Sequence, residues 1–142
     1  SGTDGLTAVQ YRHIENPWGN VYEWIDGINF SDRLAYICLN PANFADDTST
    51  NYTSSGVTLC ASGWITGLTR SSAFPFAFLP TANGGSETTY IPDYVSSNTG
   101  WSVLLVGGYW SNAGNVGLFY FNAYYSSSNA YSYIGARLLF LP

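Results

Sequence analysis

Asn16-Pro17-Trp18-Gly19-Asn20-Val21-Tyr22-Glu23-Trp24-Ile25-Asp26-Gly27-Ile28-Asn29 is the stretch on which the fold turns. Asn16 is a capping residue type, Pro17 suits a first helical turn, and Val21, Trp24, Ile25 and Ile28 recur at i, i+3, i+4 and i+7. That spacing predicts one helix over 16–29, with Val21, Trp24 and Ile25 turned toward a core.

Beyond it the chain reads as short strands and loops. Residues 34–39 (LAYICL) read as a buried strand that stops before Asn40-Pro41. Residues 42–56 are polar enough to be a loop, and 57–66 are apolar with a break at Ser62-Gly63. Pro75 and Pro80 punctuate the apolar run 73–80, which favours an irregular packed segment over a central strand. Residues 81–100 read as a second polar loop, with turns at Gly84-Gly85 and Asn98-Thr99-Gly100. Residues 101–107, 117–121 and 134–141 are strand-like; Phe119 and Phe121 alternate with Tyr120 and are expected in the core, as are Leu138 and Phe140. One helix, many short strands and long loops make an α+β layout in a single domain, 1–142, whose loops carry the function.

Composition narrows the function classes. Only 9% of the 142 residues are charged, against about 25% in an ordinary soluble domain. The basic residues are Arg12, Arg33, Arg70 and Arg137, the net charge is −5, and a phosphate backbone would be repelled, so nucleic acid is excluded as a partner. No apolar run approaches membrane-spanning length and no secretory h-region opens the chain, so no membrane insertion is expected. The Ser1-Gly2 start reads as the remnant of a cleaved tag, so any leader or larger N-terminal parent is expected to have been cut away. Cys38 and Cys60 are too far apart in sequence for a metal-ligand pair, and the single histidine, His13, cannot complete a zinc site. They read as small buried hydrophobes, with a single disulfide as the alternative.

Catalytic chemistry finds little to stand on. A serine nucleophile needs a base, and His13 near the N-terminus is the only candidate. Asp46 and Asp47 are adjacent in a polar loop, where neighbouring side chains point apart, so a solvated loop fits better than a calcium site. Glu23 reads as a structural hydrogen-bonding residue, and Arg137, set among apolar residues, as one half of a buried ion pair. No metal or organic cofactor is expected.

Three motifs add a resemblance. Gly19-Asn20-Val21-Tyr22-Glu23-Trp24 resembles the G-N-V-W-E-W signature of the formylglycine-generating-enzyme branch of the C-type lectin fold. Gly107-Gly108-Tyr109-Trp110 resembles that branch's G-G-S-W, and Ile134-Gly135-Ala136-Arg137-Leu138 its closing G-F-R-L, in the same order and at similar spacing. Trp110 matches the motif's fixed tryptophan, which implies a scaffold role. The stretches YWSNAGN and NAYYSSSNAYSY are built almost wholly from Tyr, Ser, Asn, Ala and Gly. In this they resemble the variable region of retroelement-diversified proteins, such as phage tropism determinants and related bacterial surface proteins. Inaccurate copying of template adenines in that family scatters Asn codons into Tyr, Ser, Asp, His, Thr or Ile by single changes, and into Ala, Gly, Val or Phe by double ones. The late cysteines of the enzymatic members are missing here, and so are the E-P-N, Q-P-D and W-N-D motifs of calcium-dependent lectins.

The resemblance implies a C-type-lectin-like domain of the formylglycine-generating-enzyme subtype, with a scaffold over about 3–106 and a variable region over 107–138. Its expected ligand-binding residues are Tyr109, Ser111, Asn112, Val116, Tyr124, Tyr125, Asn129, Tyr131 and Tyr133. Clustered Tyr with Ser and Asn is paratope chemistry: large contact area at low entropy cost, with adaptable hydrogen bonding. The expected role is a non-enzymatic binding module recognising a protein or glycan receptor on a cell surface, carried on a phage tail or a bacterial surface. Two other readings stand beside it: an oxidase relative of the formylglycine-generating enzyme, and a structural virion or fibre domain whose tyrosines make oligomer contacts.

Overall fold

The computed structural model describes residues 10–11, 14–15 and 17–136. Strands take up 42% of the described residues, and the only helical turns among them are two short 3-10 turns, Pro41–Asn43 and Ala113–Asn115. β1 (Gln10–Tyr11) and β2 (Ile14–Glu15) pair with each other. The remaining strands form one nine-stranded sheet. They are β3 (Tyr22–Ser31), β4 (Leu34–Ile37), β5 (Thr53–Thr58), β6 (Gly63–Arg70), β7 (Phe78–Asn83), β8 (Tyr94–Ser97), β9 (Ser102–Val106), β10 (Phe121–Ala123) and β11 (Ile134–Gly135). The order is β5-β4-β3-β9-β10-β8-β6-β7, with β11 added parallel to β3. The two ends of this path meet: Cys60 N–H donates to Pro80 O at 3.0 Å, and Ser71 Oγ donates to Ser55 O at 2.6 Å. The sheet therefore curls into a nearly closed barrel, which protects its edge strands.

The helix expected over 16–29 is absent; Tyr22–Ser31 is the long central strand. Its alternation is concealed by a bulge. β3 pairs with β9 as Ile25↔Leu104 and then as Asn29↔Val103, so four steps on β3 match one on β9, an excess of three. An odd excess flips which face the following side chains meet. Tyr22, Trp24 and Asn29 consequently share one face, while Ile25, Ile28 and Phe30 share the other. A period-2 strand interrupted in this way presents Val21, Trp24, Ile25 and Ile28 at helical spacing in the sequence, although the fold sends Trp24 and Ile28 to opposite sides.

Two cores result. Ile28 and Phe30 join Ala35, Ile37, Val57 and Leu104, with Phe121 packed against them, in the larger one. On the other face of β3 and β9, Tyr22, Leu105 and Tyr120 form a smaller core, against which Trp24, Val116 and several tyrosines pack. The expected inward set is revised accordingly. Trp24 and Val21 are half-buried, while Ile25 is 40% and Trp110 55% exposed. Leu138, Phe140, Arg137 and His13 lie outside the described residues. Phe119 is 55% exposed and Tyr120 is buried, so the expected alternation is displaced: strand pairing begins only at Phe121. Two strands also arise within the expected polar loops, β8 and the start of β5. Cys38 and Cys60 are both free thiols, the first buried and the second half-buried.

Gly27 makes the bulge possible. Its φ is +82°, and a Cβ there would stand 2.8 Å from the Phe44 ring and 2.9 Å from Cys38 O. Gly56 has a similar φ of +70° but open space around it. Gly27→Ala should therefore lower stability by more than the about 1–3 kcal/mol of backbone strain alone, and Gly56→Ala should stay within that range. Urea denaturation of both variants separates strain from collision.

Candidate functional site

The smaller core is the root of an aromatic array. Tyr22 lies 5.1 Å from Tyr109 between ring centroids, and Tyr109 stacks on Tyr133 at 4.5 Å. Tyr133 in turn stacks on Tyr131 at 5.0 Å with the rings nearly parallel. Tyr125 meets Tyr131 edge-on, Tyr124 meets Tyr125 edge-on, and Trp110 meets both Tyr109 and Tyr133. Such offset and edge geometries are the favoured ones for aromatic pairs. The two Tyr-rich stretches of the sequence are thus brought into one continuous cluster on the outer face of the sheet.

Its members divide by exposure. Tyr124, Tyr131 and Ser111 are exposed, whereas Tyr109, Tyr125 and Tyr133 are half-buried because they shield one another. Val116 turns inward against the smaller core, with Gly108 packed under it. Asn112 and Asn129 are half-buried and hold turns. Asn112 Oδ1 accepts from Tyr109 N–H at 2.9 Å, and Asn112 N–H donates to Tyr109 O at 3.0 Å. The same device recurs at the second loop: Asn129 Oδ1 accepts from Ser126 N–H, and Asn129 N–H donates to Ser126 O, both at 3.1 Å. Asn is suited to this because its side chain can replace a backbone partner in a turn.

Sequence reasoning missed several contributors. Trp110, read as scaffold, lies at the exposed rim of the cluster. Tyr22, Tyr94, Tyr120, Asn115 and Asn122 line an open cleft of about 310 Å³ beside the stack, together with the expected Tyr109, Asn112, Tyr124 and Tyr125. The signal was available only through register: Asn122 pairs with Leu105 and with Ser96, so these residues share the outer face on neighbouring strands. At the cleft floor the Tyr22 and Tyr120 hydroxyls are 2.8 Å apart, and Asn122 Nδ2 donates to Tyr120 Oη at 3.4 Å. Burial, reinforced by the Tyr120 hydroxyl, holds the Tyr22 phenol far above its ordinary range, and burial with Tyr133 pushes Tyr125 up to about 12. These two phenols stay protonated at any physiological pH.

The supports of the cluster are acidic. Asn29 Nδ2 donates to Ala45 O and Thr48 O, fixing the loop that carries Asp47, and Asp47 Oδ2 accepts from Ser127 Oγ at 2.7 Å. Asp47 thus makes a loop-to-loop tie, while its neighbour Asp46 is exposed. On the other side, buried Asp93 accepts from Phe119 N–H at 3.0 Å and packs against Gly117, which sets the approach to Tyr120. Among the described residues, no group of three or more His, Cys, Asp or Glu side chains is placed to hold a metal ion.

The family models, curated proteins and solved structures compared with the chain show no match.

Asn112→Ala and Asn129→Ala each remove a turn-forming acceptor and should cost about 1 kcal/mol in chemical denaturation, while the corresponding Asp substitutions retain an acceptor and cost less. Burial pushes the Asp93 carboxyl up, against the opposing Phe119 N–H bond. The folded chain therefore holds that proton more tightly than the unfolded chain, and stability falls as pH rises from the ordinary carboxylate value through the raised one. Asp46, raised by burial and then by Asp26 and Asp47, acts in the same direction but is solvent-screened. Asp93→Asn keeps an acceptor for Phe119 and should raise Tm at neutral pH and flatten its decline as pH rises above the ordinary carboxylate value.

Proposed function

We propose that this chain is a binding module of the C-type-lectin-like type, with the formylglycine-generating-enzyme subfold that its three motifs resemble. Its tyrosine face is the diversified surface by which a phage tail protein or bacterial surface protein recognises a receptor. The observation that carries this reading is the convergence of the two Tyr/Ser/Asn stretches into one connected aromatic array. Apart from Tyr22 at its root, the array lies outside the buried residues, and the larger core is made by other side chains. A rigid barrel presenting exchangeable, uncharged side chains can change its ligand without losing its fold. The function is association without bond chemistry.

An oligomerising virion or fibre domain is the second reading, and one observation favours it. Phe76, Phe78, Leu118 and Phe119 are all well exposed, more apolar surface than single scattered residues would give.

The test is binding of the labelled protein to a panel of bacterial cells. Tyr131→Ala should weaken retention by about 5–100-fold, the hot-spot range, with Tm nearly unchanged. A collapse of Tm with retention intact would mean that the tyrosines are structural, and the reading would fall. An adenine-rich template repeat beside a reverse-transcriptase gene in the source genome would support diversification independently.

A further inference from the structure

We propose that the cleft beside the tyrosine stack accommodates one uncharged pyranose ring of a glycan, bound without a metal ion. This rests on the binding-module reading and names the ligand class of the cleft at the foot of its tyrosine face. The lining combines phenol rings, which suit the C–H face of a sugar, with amide and hydroxyl groups suited to its hydroxyl rim. Tyr109, Tyr124 and Tyr125 supply the rings, and Asn115, Asn122 and Ser96 the polar groups. Every lining side chain is neutral, and the Tyr22 and Tyr125 phenols are held protonated, so neither an anionic sugar nor a phosphate finds a counter-charge there.

Donor capacity is left over at the floor. Tyr22 and Tyr120 carry one hydroxyl proton each, and their mutual bond uses only one of the two. Asn122 is taken up within the floor, its Oδ1 by Tyr124 N–H and its Nδ2 by the Tyr120 and Tyr22 hydroxyls, so exposed Asn115 is the amide that meets a ligand. Size and topology favour a sugar over a peptide. At about 310 Å³ the cleft lies at the small end of ligand sites, which span roughly 300–1,000 Å³. The strands beneath it have no free edge, since β8 pairs with β6 and β10, and β9 with β10 and β3. An extended peptide therefore cannot add as a strand there.

The experiment uses an array of immobilised neutral and sialylated glycans, followed by saturation-transfer NMR with methyl hexopyranosides as probes. Retention of neutral glycans, unchanged by EDTA, is expected. Asn115→Ala removes a cleft amide on an exposed turn and should weaken the methyl glycoside by about 3–10-fold, the worth of one hydrogen bond, with Tm unchanged. Thr58, exposed on β5, does not line the cleft, so Thr58→Ala should leave methyl-glycoside binding as it is. Preference for sialylated glycans, loss of binding in EDTA, or an Asn115→Ala variant that binds as tightly as the parent would overturn the inference. If the protein binds cells but retains no neutral glycan, the sugar site is wrong and the binding module stands. If it binds neither, both readings fall.

Discussion

The odd-numbered slip between β3 and β9 is the constraint on which the rest of the molecule depends. A regular strand would put Tyr22 and Phe30 on the same side of the sheet. Three extra residues between Ile25 and Asn29 put them on opposite sides. One strand can then serve as a wall of the barrel through Phe30 and as the root of the aromatic face through Tyr22. Asn29 arrives on the tyrosine side by the same slip, and from there it fixes the loop that holds Ser127. The bulge therefore couples the barrel, the loop support and the aromatic face through a single local irregularity.

The face itself is stiffened in two independent ways. Ring stacking joins Tyr109, Tyr133 and Tyr131 into a column standing on Tyr22. Paired Asn turns close the loops from which those rings project. Stacked rings already held by one another lose little further freedom when a ligand arrives, which lowers the entropic cost of association. Positions that point outward, such as Tyr124 and Ser111, can vary at little cost, whereas Asn112, Asn129 and Val116 are committed to the support.

Much of the aromatic cluster was legible in the sequence, and less of the fold. Clusters such as Tyr124-Tyr125 and Tyr131/Tyr133 stand out because core aromatics do not sit side by side among Ser and Ala. Strands β4 and β9 were readable as continuous apolar runs, and the break at Ser62-Gly63 separates β5 from β6. The helix over 16–29 was misread because a bulge converts period 2 into an apparent helical stripe, and only the partner strand reveals the slip. Trp110 and Phe119 were misplaced for a related reason: both lie in the irregular crossover between β9 and β10, where alternation carries no information about facing. The cleft was invisible because Tyr22, Ser96 and Asn122 meet only through strand register across distant segments.

The Tyr22–Tyr120 contact spans 98 residues of chain, and that separation has a consequence for biosynthesis. At about 5–20 residues per second of translation, the ribosome takes roughly 5–20 s to supply Tyr120 after Tyr22. Through that interval the run Val21–Phe30, rich in β-branched and aromatic residues, has neither β9 nor the smaller core to cover it. Such a run is prone to pair with another nascent chain. Glu23 and Asp26 sit inside it, and a carboxylate on each side of Trp24-Ile25 opposes stacking of like segments. The strand from which the fold is organised thus carries its own charge repulsion against a second copy.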